Sequence, residues 1–408
     1  MIQLTRRHFG GLLLLGSHAR SLFGATANID DTLREGLRRR GIPSVVAMVA
    51  NAHDILYAGA FGPRDGASDT PVTLDTIYSI ASMTKAITSV AAMQLVEQGK
   101  IALDEPVARI LPQLSSMQVL SGFDAAGKPV LRPAMNPITL RHLLTHTSGF
   151  AYPTWHEAMS KYAQVAGPLP PGVVAPLVPL MFEPGASWQY GYSADWTGRV
   201  VEALSGLTLE QYFQRNIFEP LGMKDTSFIF NGDQFERLVG RYQRTPDGKF
   251  QAAPRTRPTP PADFNGGGGL YSTAGDYIRF VQMILRRGLG DLKTEILKGR
   301  TVELMMQNHI GNLTAGKLKS FQPNLSSDVD TAPGGADKWG LGFLINPERH
   351  PGGRQPGSLA WAGIFNTYFW IDPRRGIGGV VMMQYLPFYD VEAVGLLNDF
   401  ERAVYAYV

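Results

Sequence analysis

The segment SIASMTKAITSV, residues 79–90, places Ser82 three residues before Lys85 at the start of an otherwise small, apolar stretch. Residues three apart lie on the same face of an α-helix, with Cβ atoms about 5–6 Å apart. A serine hydroxyl becomes a nucleophile when a neighbouring base takes its proton, and burial favours the neutral amine that a lysine base needs. The first turn of a helix also offers free N–H groups to a developing oxyanion. The spacing therefore suits acyl transfer, with Ser82 as nucleophile and Lys85 as proton acceptor.

Ser-x-x-Lys alone is a weak signal, because a chain of this length contains about one such match by chance. Here it occurs once, and it opens an amphipathic segment, Ala86 to Gln98, that predicts a helix. The rest of the argument for catalysis has to come from other motifs.

The composition is typical of a large folded protein without a strongly charged surface. The chain has 408 residues, 44% of them apolar, which is enough for one large or two intimately packed domains. Arg6, Arg7 and Arg20 account for the formal net charge of +3, because the first 27 residues contain no acid. We therefore expect no nucleic-acid partner. The absence of cysteine excludes disulfides, thiolate metal sites and cysteine nucleophiles.

The first 27 residues resemble an export signal of the twin-arginine type. Arg6 and Arg7 precede a short apolar run, Leu12 to Leu15, and Ala25-Thr26-Ala27 is a small-x-small cleavage site. The apolar run is too short to span a bilayer. A disordered or amphipathic N-terminal helix is the alternative. We expect a periplasmic or secreted protein with no stable membrane insertion after signal removal.

The order of elements predicts an α/β domain into which a helical domain is inserted. Two strand-like runs, 44–51 and 55–62, predict a hairpin, and the middle of the chain is rich in helical patterns. A proline-rich stretch followed by four glycines, 253–269, is the clearest boundary. Strand patterns then return before a final helix from about Val391 to Val408. We expect residues 28–80 and 265–408 to form the α/β domain and residues 81–264 the helical domain.

Two further stretches offer groups that a Ser–Lys pair needs for proton relay and oxyanion binding. Tyr190 and Tyr192 stand just ahead of a predicted helix, although an aromatic packing cluster with Trp188 and Trp196 is the alternative. Gly363 is predicted to enter a strand, where a small residue lets a ligand approach the backbone. A β-bulge or a crowded sheet position is the alternative there.

Several long motifs together resemble the serine beta-lactamase-like superfamily. They occur in its order and spacing, and they are SMTK (82–85), LRHLLTHTSG (140–149), PGASWQYGYSADWTGRVVEALSG (184–206), FEPLGMKDTSF (218–228), GGGGLYSTAGDYIRFVQMIL (266–285) and WAGIFNTYFWIDP (361–373). The superfamily includes class C beta-lactamases, DD-peptidases and family VIII carboxylesterases, and the similarity covers nearly all of the chain after the leader. It implies an α/β (α+β) fold of the beta-lactamase/transpeptidase type. In that fold an antiparallel sheet is flanked by helices, and the active site lies at the interface with the inserted helical domain.

The resemblance implies a role for each matched residue. Ser82 matches the acylated nucleophile, Lys85 its proton acceptor and Tyr190 the motif tyrosine. Trp361-Ala362-Gly363 takes the place of the third motif, Lys-Thr-Gly, and the N–H of Ile364 then pairs with that of Ser82 as the oxyanion hole.

Two departures from the lactamase pattern bear on the substrate. Tyr192 stands where lactamases and peptidases have asparagine, and Trp361 stands where they have lysine or histidine. Both changes replace polar groups by aromatic ones, and a Trp-x-Gly motif is similar to that of family VIII esterases. We therefore predict a serine esterase for small neutral esters, also capable of acyl transfer. The alternatives are a DD-peptidase or class C-like beta-lactamase, and a penicillin-binding sensor that acylates without turnover. Oligomeric state is left open.

Two other patterns carry less weight. His142 and His146 are four apart on a predicted helix, but no glutamate follows His142 as in a zincin, and both fall in a structural segment of the superfamily. The glycine run 266–269 lacks the Lys-Ser/Thr of a phosphate loop and matches a structural turn. No Gly-x-Ser-x-Gly occurs in the chain. We expect neither a metal nor another cofactor.

Overall fold

The computed structural model describes residues 28–408 except residues 67, 171, 292, 293 and 334. The predicted export signal and its cleavage site therefore lie outside the described residues. An antiparallel sheet of seven strands forms the centre of the described fold. In chain order these strands are β1 (Val45–Asn51), β2 (Ile55–Phe61), β3 (Lys338–Trp339), β4 (Leu344–Asn346), β5 (Ser358–Gly363), β6 (Thr367–Asp372) and β7 (Ile377–Met382).

The sheet joins the two ends of the described chain. Its order is β3-β4-β5-β6-β7-β1-β2, so β1 lies between its hairpin partner β2 and the late strand β7. Val46 lies opposite Met382, and Asn51 lies opposite Ile377. The predicted fold class, an antiparallel sheet combined with helices, is confirmed.

Helices cover both faces of the sheet, which explains why β5, β6 and β7 are buried along their whole length. Neighbouring residues of a strand point to opposite faces. Phe369 accordingly packs against Tyr277 at 5.2 Å between ring centroids, while Trp370 packs against Phe400 on the other face at 5.9 Å.

The helices supply most of the remaining structure. They are α1 (28–40), α2 (Thr84–Glu97), α3 (Leu140–Leu144), α4 (Glu157–Ala166), α5 (Ser193–Ser205), α6 (Leu209–Phe213), α7 (Glu219–Leu221), α8 (Ala274–Leu285), α9 (Gly299–Met305) and α10 (Val391–Tyr405). Short 3₁₀ turns lie at Ala81–Met83, Val107–Arg109, Pro112–Leu114, Pro153–Trp155 and Gln234–Arg237, and a π-helical turn lies at Gln214–Phe218. No helix in this part of the chain is long and apolar enough to cross a membrane.

Outside the main sheet, short strands of the described residues form four pairs and one three-stranded sheet. They are formed by Pro63–Asp65, Ser68–Pro71, Tyr78–Ser79, Gln118–Phe123, Pro129–Pro133, Tyr242–Arg244, Phe250–Ala252, Tyr271–Ser272, Lys317–Leu318, Val329–Asp330 and Tyr385–Leu386.

The structure corrects two expectations. The helix after Ser82 is not amphipathic, because α2 is buried on every side from Thr84 to Leu95, and a helix enclosed by its neighbours needs no polar face. The stretch AGIFNTYFWID is not one strand. It turns between β5 and β6 at Asn366, whose φ of +62° ends the extended conformation.

Candidate active site

Ser82 lies in the 3₁₀ turn Ala81–Met83, directly before α2. The preceding residue, Ala81, has a φ of +43°, which lies in the left-handed region that residues other than glycine rarely adopt. Backbone strain of this kind is concentrated at functional sites. From α8, the hydroxyl of Tyr277 donates a hydrogen bond of 2.9 Å to the carbonyl of Met83 and supports the turn. Ser82 is thus presented at the start of a buried helix.

Lys85 directs its amine at Ser82 from one turn further along the chain. Its side chain is almost fully buried, and Nζ donates to Ser82 Oγ at 3.1 Å. Nζ also donates to the carbonyl oxygen of Gly267 at 2.5 Å and to Tyr152 Oη at 3.3 Å. Three oxygen atoms thus lie within hydrogen-bond reach of the amine nitrogen. The structure therefore brings the predicted nucleophile and base into direct contact.

Tyr152 and Asp195 complete the polar cluster, and neither was predicted as a site residue. Tyr152 Oη donates to Asp195 Oδ2 at 2.8 Å, so the phenol bridges Lys85 and the carboxylate. Burial raises the pKa of Asp195 to about 6, and the nearby charge of Lys85 opposes that rise. The signals in the sequence were faint: Tyr152 follows the HTSG motif, and Asp195 only helped to set the register of Tyr190.

Tyr190 belongs both to the polar cluster and to an aromatic cluster. Its ring centroid lies 4.7 Å from Lys85 Nζ, and its hydroxyl accepts a hydrogen bond of 3.3 Å from Trp361 Nε1. Its ring packs 4.9 Å from the rings of His146 and Trp361. The two interpretations of this tyrosine are thus compatible, because the aromatic neighbours hold the phenol beside the lysine.

Trp361 forms an apolar wall beside Tyr190. It is 7% exposed, and its ring lies 4.7 Å from that of Trp339. Strand β4 pairs with β5 only as far as Ala360. Trp361 therefore lies on the part of β5 that continues past its neighbour towards the catalytic turn.

Tyr192 has a different setting from Tyr190. It is the N-cap residue of α5, and its ring lies 4.5 Å from that of Tyr152. Burial raises the pKa of Tyr192 to about 12, so its phenol is protonated at neutral pH. Tyr192 therefore contacts Tyr152, and it is Tyr152 that contacts Lys85.

Gly363 closes β5 against the segment that leads to Ser82. The strand ends at this residue, whereas the sequence pattern suggested that it begins there. A Cβ on Gly363 would lie 2.3 Å from the carbonyl oxygen of Ile80 and 2.4 Å from Thr367 Oγ1, so glycine permits this approach. The contact brings the next residue, Ile364, to the side of the turn that carries Ser82.

The two histidines have separate surroundings. His142 forms a capping box with Thr139 at the start of α3: its N–H donates to Oγ1, and its Nδ1 accepts from the Thr139 N–H, both at 3.2 Å. His146 packs 5.1 Å from the ring of Trp339, where burial lowers its pKa well below the usual range. Across the described residues, no group of three or more His, Cys, Asp or Glu side chains is placed to hold a metal ion.

The glycine run 266–269 lets a loop pass between α2 and α5. A Cβ on Gly266 would lie 2.7 Å from the carbonyl oxygen of Ala194, and one on Gly267 would lie 2.4 Å from Asp195 Oδ2. Gly266 also accepts a hydrogen bond of 2.7 Å from Thr88 Oγ1 of α2. The run is a close-packed crossing whose carbonyl groups hold the helix that carries the lysine.

The arrangement has the parts that acyl transfer needs. A serine hydroxyl lies within hydrogen-bond reach of a buried amine, a second hydroxyl group lies beside that amine, and an aromatic wall lines the site. A buried lysine with every donor satisfied is held in one orientation, so its geometry is set before a substrate arrives.

Comparison with known proteins agrees with this geometry. The beta-lactamase family matches residues 29–402. Monacolin J acid methylbutanoyltransferase of Aspergillus terreus is 34% identical over 407 residues, covering 93% of this chain and 95% of that protein. Lovastatin esterase of Penicillium rubens is 34% identical over 364 residues, with 83% and 88% covered.

A solved structure extends the likeness to the whole fold. The LovD6 mutant of simvastatin synthase from Aspergillus terreus superposes with a TM-score of 0.80 at 32% identity, covering 94% of this chain and 97% of that one. The chain belongs to the beta-lactamase family, in the branch whose relatives include acyltransferases and esterases.

Proposed function

We propose that the chain is a serine enzyme that cleaves neutral carboxylic esters through an acyl-enzyme intermediate on Ser82. The observation that carries the proposal is the 3.1 Å hydrogen bond from the buried amine of Lys85 to Ser82 Oγ. A base in contact with a hydroxyl is the common requirement of serine acyl transfer on unrelated folds. The relatives named above, a transferase and an esterase, support the same class of chemistry.

In the proposed reaction, Lys85 in its neutral form accepts the proton of Ser82, so the direction of their hydrogen bond is reversed as Oγ attacks the ester carbonyl. The amide groups of Ser82 and Ile364 hold the oxyanion, and the contact of Gly363 with Ile80 supports this placement. Lys85 then passes this proton on through Tyr190 to the departing alcohol as the carbon–oxygen bond breaks, so both groups return to their starting protonation states. Water then attacks the acyl carbonyl and gives its proton to Lys85, which returns it to Ser82 Oγ as the bond between Oγ and the acyl carbon breaks and the carboxylic acid leaves.

The aromatic lining supports esters over lactams. Trp361 occupies the position of a cationic anchor, its indole N–H already donates to Tyr190, and Tyr192 replaces an amide side chain. An apolar wall favours neutral acyl groups, whereas a carboxylate on a lactam would be buried there without a cation. A lactamase, a DD-peptidase or a penicillin sensor is therefore the weaker proposal.

Acyl transfer to a hydroxyl acceptor is a second candidate function. It is favoured by the methylbutanoyltransferase among the relatives. Transfer and hydrolysis share the acyl-enzyme and differ in whether an alcohol or water attacks it. Incubation of a p-nitrophenyl ester with alcohols of increasing size, followed by mass spectrometry of the products, distinguishes the two outcomes.

The test of the proposal is a screen of p-nitrophenyl esters of increasing chain length beside a chromogenic cephalosporin, with the wild type and Ser82→Ala. We expect ester turnover and fluorophosphonate labelling in the wild type and neither in Ser82→Ala. Ser89→Ala is the matched control, because Ser89 is a buried serine of the same helix that donates to the Lys85 carbonyl. It should keep both signals.

Two outcomes would contradict the proposal. Labelling that persists in Ser82→Ala would place the nucleophile elsewhere. A burst of one equivalent without further turnover would indicate a sensor that acylates once.

A further inference from the structure

The hydroxyl of Tyr152 connects the buried carboxylate of Asp195 to Lys85 through two hydrogen bonds. The reaction proposed above assigns no role to this carboxylate. Tyr152 Oη accepts from Lys85 Nζ at 3.3 Å and donates to Asp195 Oδ2 at 2.8 Å. Lys85 is 1% exposed and Asp195 is 2% exposed. A Cβ on Gly267 would overlap the carboxylate, so the glycine run leaves the space that Asp195 fills.

The other groups around Lys85 are neutral. Burial and the charge of Lys85 lower the pKa of His146 well below its usual range, so this imidazole is uncharged at neutral pH. Burial raises the pKa of Tyr192, and Tyr190 presents its ring to the amine. Within the described residues that surround Lys85, Asp195 supplies the negative charge.

The pKa of Asp195 decides the pH range in which this carboxylate is charged. Burial raises its pKa to about 6, and the hydrogen bond from Tyr152 and the charge of Lys85 act in the opposite direction. The carboxylate is therefore charged at neutral pH and loses its charge as the pH falls below about 6. A buried cation is costly without such a partner.

We propose that Asp195, acting through the hydroxyl of Tyr152, stabilises the positive charge that Lys85 acquires when it takes the proton of Ser82. The proposal rests on the proposed function of Ser82 and Lys85. Asp195 and Tyr152 are positioning residues that act through the lysine. No proton leaves the cluster in this step: it moves from Ser82 Oγ to Lys85 Nζ, and the phenol of Tyr152 keeps its own.

This role has two consequences that a purely structural role does not have. Removing the negative charge makes Lys85 a weaker base, so the transition state loses stabilisation and the plateau of kcat/KM falls. The same change also makes protonation of the buried cluster less favourable, because a nearby opposite charge favours the charged form. The acid limb of the pH profile therefore moves to lower pH while the plateau drops.

The test is the pH dependence of kcat/KM for a short-chain p-nitrophenyl ester and of the rate of fluorophosphonate labelling. Asp195→Asn keeps the shape of the side chain and an oxygen that accepts the Tyr152 hydroxyl, but removes the charge. We expect the plateau to fall about 10²-fold. We expect the acid limb to move down by about one pH unit or more.

A second variant and a matched control sharpen the test. Tyr152→Phe leaves the carboxylate and removes the bridge, and we expect both effects in the same direction. Asp276→Asn is the control, because burial raises the pKa of Asp276 to about 6 as well. Its Oδ2, however, accepts from Thr226 Oγ1 at 2.9 Å and from the Asp225 N–H at 2.7 Å, away from Lys85. This variant should leave the acid limb unmoved.

The outcomes separate this inference from the proposed function. If the wild type is labelled on Ser82 and turns over esters, but the acid limb of folded Asp195→Asn or Tyr152→Phe stays in place or moves up, the inference is overturned. If Ser82→Ala keeps the activity, the proposed function itself fails. Circular dichroism and thermal melting establish that each variant is folded.

Discussion

At the scale of single residues, the site is a set of hydroxyl groups gathered around one buried amine. Lys85 Nζ has three oxygen partners, and two of them are side-chain hydroxyls, those of Ser82 and Tyr152. The phenol of Tyr190 lies beside the same amine, with its ring centroid 4.7 Å away. Beyond the lysine, Tyr152 donates to Asp195 and Tyr190 accepts from Trp361, so substitutions of these hydroxyl groups one at a time should have different effects.

Tyr190→Phe and Tyr192→Phe form a matched pair. Tyr190 accepts from Trp361 Nε1 and lies beside Lys85, whereas Tyr192 caps α5 and packs on Tyr152. We expect Tyr190→Phe to lower kcat/KM for esters about 10²–10⁴-fold, as loss of a general acid–base group does, and Tyr192→Phe to change it little. Steady-state kinetics on both variants checks the prediction. The reverse ranking would show that the proton relay is the other tyrosine.

Trp361→Lys tests whether the indole wall decides the substrate. The substitution removes the indole, and with it the aromatic contact to Trp339 and the hydrogen bond to Tyr190. We expect weaker ester turnover and better recognition of carboxylate-bearing lactams. The gain is limited by the cost of burying an ammonium without a partner. The measurement is the ratio of kcat/KM for a short-chain p-nitrophenyl ester to that for a cephalosporin. An unchanged ratio would assign Trp361 to packing alone.

At the scale of elements, the site is assembled where α2, α5 and the glycine run cross. The run approaches α5 so closely that Gly266 lies against the Ala194 carbonyl, and Gly198 of the helix has no side chain to prevent it. The turn that carries Ser82 is held from the sheet side by the end of β5, through Gly363 and Ile80. Glycine at these crossings lets backbone, rather than side chains, fix the distances at the site.

Gly267→Ala should damage the site through this crossing. The added Cβ would lie 2.4–2.7 Å from the atoms of the Asp195 carboxyl group, so either the carboxylate or the carbonyl that holds Lys85 must move. We expect kcat/KM to fall more than about tenfold and the free energy of unfolding to drop by about 1–3 kcal/mol. Gly275→Ala in the first turn of α8 is the control, because its Cβ would come no closer than 3.8 Å to Thr273 Oγ1. Full activity in Gly267→Ala would show that the crossing is more compliant than its contacts indicate.

At the scale of the whole molecule, local patterns predicted single elements, whereas the antiparallel sheet flanked by helices was implied by the resemblance to the beta-lactamase-like superfamily. The sequence patterns predicted the β1–β2 hairpin and the helix after the glycine run, and the structure contains both. The burial of α2 did not follow from its pattern, because it depends on elements distant in the sequence. Tyr152 could not be found for the same reason: it lies 67 residues after Lys85, and its contact with the amine exists only in the folded chain.

Ser82 and Lys85 could be predicted from the sequence because they are close together in it. Ser82 and Lys85 are three positions apart, so helical geometry alone brings them together. The break at Asn366 was missed because Nδ2 of its side chain donates to carbonyl groups distant in the sequence, those of Tyr385 and Pro387, at 2.9 and 2.8 Å. A local pattern of apolar residues does not show these long-range hydrogen bonds.

The pairing of β1 with β7 also affects how the protein folds during its synthesis. Residues 46–51 find their partners at 377–382, so the centre of the sheet closes a loop of nearly the whole chain. Contacts of such long range slow folding, since the entropy of loop closure is spent before the strands gain each other's hydrogen bonds. During synthesis, the apolar strand VVAMVAN leaves the ribosome long before β7 exists. The nascent chain therefore spends most of its synthesis with an unpaired apolar edge, the kind of segment that chaperones shield from aggregation.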